Sequence, residues 1–240
     1  MLRSIDNWES MPGNLDKLNV NSRTYPSSNK YGIPDILNTP FVPEGLVPYD
    51  TQVKRKYAQV RGKYVHFFLD DHKFEPLWNR PIKTLPPIQF MGQAISPDYS
   101  ISSEYPLIVN LWQVYRSRWL TRYWQENNID VIPNVTWLDE ESFEYCFLGI
   151  PKGCTVAVGT VGVNSKEKKE QFKKGFEKMI EVIQPKAIVV YGETRPVEFE
   201  NYCEMVYNYP SYWQVRRRLI NKEDNQNDGT NSSERGEQGN

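Results

Sequence analysis

Two rhythms of apolar residues alternate along the middle of the chain. Short β-branched or aromatic runs are followed by longer stretches in which apolar residues recur every three or four positions, the pattern of βα units on a parallel sheet. The strand candidates are Tyr64–Leu69, Ile88–Gly92, Val131–Val135, Thr155–Gly159 and Ala187–Tyr191. A short helical piece is predicted from Phe74 to Asn79, and a long helix from Glu104 to Asn127, where Ile108, Leu111, Trp112, Tyr115, Trp119 and Tyr123 share a stripe. Further helices are predicted over Glu140–Phe147, over Lys166–Ile183 before Pro185, and over Val197–Val206.

These elements predict an α/β fold with a mostly parallel sheet of about five or more strands and alternating helices. An open sheet or an incomplete TIM-like barrel fits, since a complete barrel takes about 250 residues and both ends of this chain fall outside the pattern. Residues 1–62 read as a Pro-rich, irregular N-terminal arm packing on the core, because apolar groups such as Ile33, Ile36 and Phe41 punctuate it. Residues 63–220 form the α/β domain. Residues 221–240 contain no aliphatic or aromatic side chain and read as a disordered polar tail that cannot offset its chain entropy by burial.

Composition narrows the setting. The 240 residues are 39% hydrophobic and 25% charged, enough for one substantial core. No apolar run approaches the roughly 18 residues of a membrane span, and the first residues lack a secretory signal, so a cytoplasmic protein with no membrane partner is expected. A net charge of −1 gives no global field for nucleic acid, which would need a local patch. Cys146, Cys154 and Cys203 are too few and too scattered for a disulfide framework or a zinc site.

In parallel α/β folds, ligands bind where the carboxyl ends of the strands meet helix N-termini. Asp70 and Asp98 each follow a predicted strand and suit general acid/base work or a divalent cation. Asn134 after the third strand suits orienting a substrate oxygen, and Glu193 and His72 are lesser candidates. Gly159-Thr160-Val161-Gly162-Val163-Asn164-Ser165 enters a helix with two spaced glycines, so Thr160, Gly162, Asn164 and Ser165 suit an anion cradle, although it is neither a Walker A loop nor a dinucleotide fingerprint. Each position also suits ordinary helix capping or turn formation, the simpler reading for any one of them. Arg116 among the aromatics of the long helix suits phosphate binding, against the simpler reading of core packing, while Arg118 and Arg122 at i, i+4 read as a solvated row.

The runs Asn110–Arg118, Tyr123-Trp124-Gln125 and Val131–Trp137, with Ser96–Ser100 and Val190-Tyr191-Gly192, resemble the domain of unknown function 4417 family of bacteria, phages and mobile elements. The resemblance covers about Lys63 to Pro196. It implies a mobile-element setting and carries no catalytic residue with it.

Two functions follow as expectations. One is an enzyme, a hydrolase of phosphoester or glycosidic bonds, that binds a nucleotide, sugar phosphate or nucleic-acid end in a cleft at the strand ends. The other is a non-catalytic interaction protein of a phage or mobile element that docks a host protein or nucleic acid.

Overall fold

The computed structural model describes residues 24–50, 63–194, 196–217 and 219–221. The expected disordered tail, apart from its first residue, and much of the arm lie outside these residues. Seven strands run in the order β1 (Leu46–Pro48), β2 (Tyr64–His66), β3 (Gln93–Ile95), β4 (Asp130–Ile132), β5 (Thr155–Gly159), β6 (Ala187–Tyr191) and β7 (Met205–Tyr209). The helices are α1 (Pro76–Asn79), α2 (Pro81–Met91), α3 (Leu107–Gln125), α4 (Phe143–Cys146) and α5 (Lys166–Ile183), and residues 212–217 and 219–221 are also helical.

Every strand pairing is parallel and joins neighbours in chain order: β1-β2-β3-β4 in one sheet and β5-β6-β7 in the other. The sheets meet where Asn134 bridges Ala157, with Val135 N donating to Ala157 O at 2.9 Å and Ala157 N to Pro133 O at 2.8 Å. Nearer their amino ends β4 and β5 are parted by the arm: the Thr39 hydroxyl donates to Val131 O, and Thr155 N donates to Thr39 O.

Strand alternation sorts the side chains into two populations. Val65, Phe67, Ala94 and Val131 pack outward under α2 and α3, and Val156, Val158, Ile188 and Val190 pack outward under α5. The opposite face sends Tyr64, Ile95, Ile132, Ala157 and Val189 into one cluster, joined by Leu46 and Tyr209. All seven strands thus contribute to a single interior, which a flat sheet would not have. Among the described residues the architecture is an incomplete barrel of seven strands in two joined sheets, against the eight of a closed one.

Two predicted elements change identity. Ile88–Gly92 is the last turn of α2 and its cap, not a strand: Pro81, Ile88 and Met91 are buried on one side while Gln89 and Phe90 are exposed, and Gly92 ends the helix at φ 75°. The strand follows at Gln93, so the Ser96–Ser100 turn still leaves a strand end. Val197–Val206 is not a helix; a 3₁₀ turn at Phe199–Asn201 precedes β7, whose Val206, Tyr207 and Tyr209 favour an extended backbone. β1 is a strand within the supposedly irregular arm, placed on a sheet edge where Pro48 removes no interior hydrogen bond.

The strongest predicted helix is observed as read. The Ser165 side chain accepts from Lys168 N at 3.2 Å to start α5, and Phe172, Phe176, Met179 and Ile183 face the core. Gly175 lies on that buried side, where a Cβ would stand 2.1 Å from the Trp137 ring. Gly175→Ala is therefore expected to destabilise by about 1–3 kcal/mol through overpacking, despite alanine's better helix propensity. Urea unfolding of the two proteins measures this, and an unchanged or higher midpoint would show that Trp137 yields freely.

Candidate functional site

The turns after β3 and β4 are cross-linked. The Ser96 hydroxyl accepts from Asn134 N at 2.7 Å, and Asn134 Nδ2 donates to Asp98 Oδ1 at 2.6 Å. Ser117 of α3 donates to Pro97 O at 2.8 Å, fixing the turn to the helix. Between turn and helix lies a narrow crevice lined by Asp98, Asn134, Gln113, Ser117, Arg118 and Cys146.

Electrostatics in this crevice are unusual. Burial raises the Asp98 carboxyl to about 7, against the lowering effect of the Asn134 hydrogen bond, and Asp71 adds to the rise. Asp71 is itself held by Ser100, through the backbone N at 3.0 Å and the hydroxyl at 2.8 Å. Arg118 is 3% exposed. Its Nε, Nη1 and Nη2 donate to the carbonyls of Leu148, Asn134 and Cys146 at 3.2, 3.3 and 2.9 Å. Among the described residues it has no carboxylate partner, and burial lowers it to about 10. Asn134 Oδ1 is buried without a hydrogen-bond partner. Burial pushes the Cys146 thiol up to about 12, which makes it a packing group rather than a nucleophile.

The structure brings two of the sequence candidates together, Asp98 and Asn134. Asp70 faces solvent and pairs with Lys73 at 3.0 Å, which holds its carboxyl below the ordinary range, and His72 is exposed. Among the described residues no group of three or more His, Cys, Asp or Glu side chains is placed to hold a metal ion. Gly162, Asn164 and Ser165 lie on the surface outside the crevice, with Ser165 occupied as the α5 cap. Thr160 is buried, and its hydroxyl donates to Glu193 O at 2.8 Å, tying the β5 and β6 ends. Gly192 permits that tie at φ 122°, since a Cβ there would stand 2.4 Å from Thr160 Oγ1. Arg116 bonds Glu75 at 2.7 Å and lies 3.9 Å over the Tyr99 ring, so its charge is already matched.

Arg118 is the residue that sequence reasoning missed. Its expected solvated row with Arg122 does not exist, because α3 is covered on this side by the Asn134 turn and α4; Arg122 alone remains partly exposed, donating to Asp35 O and Glu126. The nearest signal was the dense polar content of a helix whose aromatics already fill one face. His66 was also missed. It is 3% exposed under the stacked Phe68 and Tyr191 rings, its Nδ1 has no partner, and burial lowers it to about 4.

Comparison with known proteins places this geometry in a lineage. Residues 25–210 match the domain of unknown function DUF4417. The chain belongs to the DUF4417 family. It is 40% identical over 219 residues to the gene 1 protein of Mycobacterium phage D29, covering 91% of this chain and 80% of that protein. The gene 1 protein of Mycobacterium phage L5 is also 40% identical over 219 residues, with 91% and 95% covered. No solved structure matches. The DUF4417 match begins at residue 25, well before the Lys63 start of the sequence resemblance, so the described arm, with Ile33 and Ile36 buried, lies within the family region.

Asp98 and His66 give folding opposite pH slopes. Folded Asp98 keeps its proton up to about 7 whereas the ordinary value is 3.8, so its contribution to stability falls as pH rises between them. Folded His66 protonates only near 4 against an ordinary 6.5, so its contribution falls as pH drops through that window. Asp98→Asn removes the first slope alone. The stability of the variant relative to wild type, from urea titrations at several pH values, is expected to climb from about pH 4 to about pH 7. A constant difference would mean that Asp98 is already ionised in the fold.

Proposed function

We propose that the strand-end crevice is the active site of a hydrolase acting on a phosphate-bearing substrate. The observation that carries this is the buried Arg118 charge, answered only by backbone carbonyls, in the same crevice as an Asp98 carboxyl that stays protonated up to about neutral pH. A protonated Asp98 leaves the crevice with a net positive charge, which favours an anionic group. Asn134 presents its Oδ1 as an acceptor for a ligand hydroxyl or N–H. In phosphoester hydrolysis Asp98 would give its proton to the leaving alkoxide as water adds to phosphorus, and would recover a proton from that water. The crevice has room for about one water molecule, so a phosphate group would meet it at its mouth, with the rest of a larger substrate outside.

On this reading the anion is bound through Arg118 and the neutral carboxyl, away from the exposed Gly162 turn. Sulfate tests the charge argument, because its own charge is constant near neutral pH. Sulfate should raise the melting temperature at pH 6, and its affinity should fall about tenfold between pH 6 and pH 8 as Asp98 ionises. In Asp98→Asn the affinity should no longer depend on pH, and hydrolysis of a generic aryl phosphate should drop by about 100-fold or more. Absence of any sulfate effect, or an effect indifferent to both pH and Asp98→Asn, rejects the reading.

A further inference from the structure

Among the described residues the Asp98 carboxyl has a single hydrogen-bond partner, the Asn134 amide, at 2.6 Å. That separation is short for an N–H···O bond, which spans about 2.7–3.2 Å, and ordinary for an O–H···O bond, which spans about 2.5–3.0 Å. The other end of the amide, Oδ1, is buried without a partner, and Asn134 lines the crevice. The Asn134 backbone is held on both sides, its N donating to the Ser96 hydroxyl at 2.7 Å and its O accepting from Arg118 Nη1 at 3.3 Å. Only the side-chain amide is left to turn. Its two ends have the same shape, so a half-turn exchanges donor for acceptor without disturbing the packing.

Donors and acceptors have to match in each protonation state. An ionised Asp98 accepts from Nδ2, the orientation observed. A protonated Asp98 brings a hydroxyl that finds no acceptor at Nδ2, and Oδ1 stays unpaired as well, so two buried polar groups go unsatisfied. After a half-turn Asp98 O–H donates to Oδ1, and Nδ2 faces a crevice with room for about one water. We infer that the Asn134 amide is a two-position gate set by the proton on Asp98: it offers its N–H to the crevice when Asp98 is protonated and its carbonyl when Asp98 is ionised. The gate stands on this geometry; what it admits rests on the anion-binding reading of the crevice. An anion oxygen at the mouth meets Nδ2 beside Arg118 in the first state, and meets Oδ1 and a carboxylate in the second. The acceptor offered to a ligand hydroxyl or N–H thus belongs to the ionised state. The neighbouring groups leave the switching to Asp98. Burial raises the Tyr99 phenol and pushes the Cys146 thiol up to about 12, while Arg118, lowered to about 10, stays charged through neutral pH. Asp71 faces Asp98 from the turn after β2, where Ser100 holds it, and beyond Tyr99 the charges of Arg116 and Glu75 match one another.

The test is nuclear magnetic resonance of the full chain carrying isotope-labelled asparagine, below and above the Asp98 titration, at about pH 5.5 and about pH 8. Loss of one amide signal in Asn134→Ser identifies the group. At the lower pH its N–H protons are expected to cross-relax with Gln113 or Cys146 across the crevice. At the higher pH those cross-peaks should give way to cross-peaks with the Asp98 methylene protons. In Asp98→Asn the pattern should be the same at both pH values. One pattern throughout in wild type, or a reversal that persists in Asp98→Asn, overturns the inference. A reversal without any sulfate effect on melting rejects the anion-binding reading and leaves the gate standing, whereas a sulfate effect over an amide that never turns rejects the gate alone.

Discussion

A single buried guanidinium holds the strand-end side of this fold together. Arg118 projects from α3 and meets three main-chain carbonyls that belong to two different segments, the Asn134 turn and the end of α4 with its following residues. The bonds to Asn134 O and Cys146 O are buried, and a buried carbonyl left without a partner costs about 1–3 kcal/mol. Helix, strand end and loop are therefore fixed relative to one another by one side chain. The position of Asn134 follows, and from it the hydrogen bond to Asp98. Charge also follows: a buried cation satisfied by dipoles instead of by a carboxylate retains its long-range field.

The barrel sets what that constraint can act on. Because all seven strands are parallel and adjacent in chain order, every strand end opens on the same side, and every βα loop can contribute to one face. The interior is filled unevenly to reach that face. Gly159 leaves room for the Phe68 ring, whose atoms would lie 3.1 Å from a Cβ there, and Phe68 stacks on Tyr191 with ring centroids 4.6 Å apart. His66 sits against the same Tyr191 ring at 4.5 Å. The centre of the mouth is thus closed by aromatic groups, and the open space is displaced sideways to the gap between the β3 and β4 ends and α3. This is why the crevice is lined by a helix flank rather than by the middle of the barrel.

How much of this was legible in the sequence depended on whether local chemistry and tertiary environment agree. Thr155–Gly159, Ala187–Tyr191 and Lys166–Ile183 were read with their observed bounds, since their periodicity is strong and their ends carry Ser165 and Pro185 as local signals. Ile88–Gly92 was misread because a short stretch with apolar Ile88, Phe90 and Met91 is compatible with either a strand or a helix turn, and Pro86 and Pro87 argued against the helix that forms. Asp98 and Asn134 were legible from position alone, as polar residues beyond apolar strands. That they touch was not, because strand order decides it. Arg118 was misassigned for the same reason: an i, i+4 pair of arginines describes a solvated row only if nothing covers the helix, and the cover comes from residues far along the chain.

Asp98 and Arg118 line one crevice and yet do not form an ion pair, and that separation bears on the protonation of the carboxyl. Direct pairing would draw the carboxyl below its ordinary range, as Lys73 does to Asp70. The guanidinium bonds three carbonyls and not Asp98, so desolvation of the carboxyl is opposed chiefly by the Asn134 hydrogen bond, and the carboxyl rises to about 7. A group poised there can exchange a proton near neutral pH, which a salt-bridged aspartate cannot. The structural role of Arg118 and the raised carboxyl of Asp98 therefore belong to one arrangement: the guanidinium is taken up by the three carbonyls that hold helix, turn and loop together, and Asp98 is left with an amide partner instead of an ion pair.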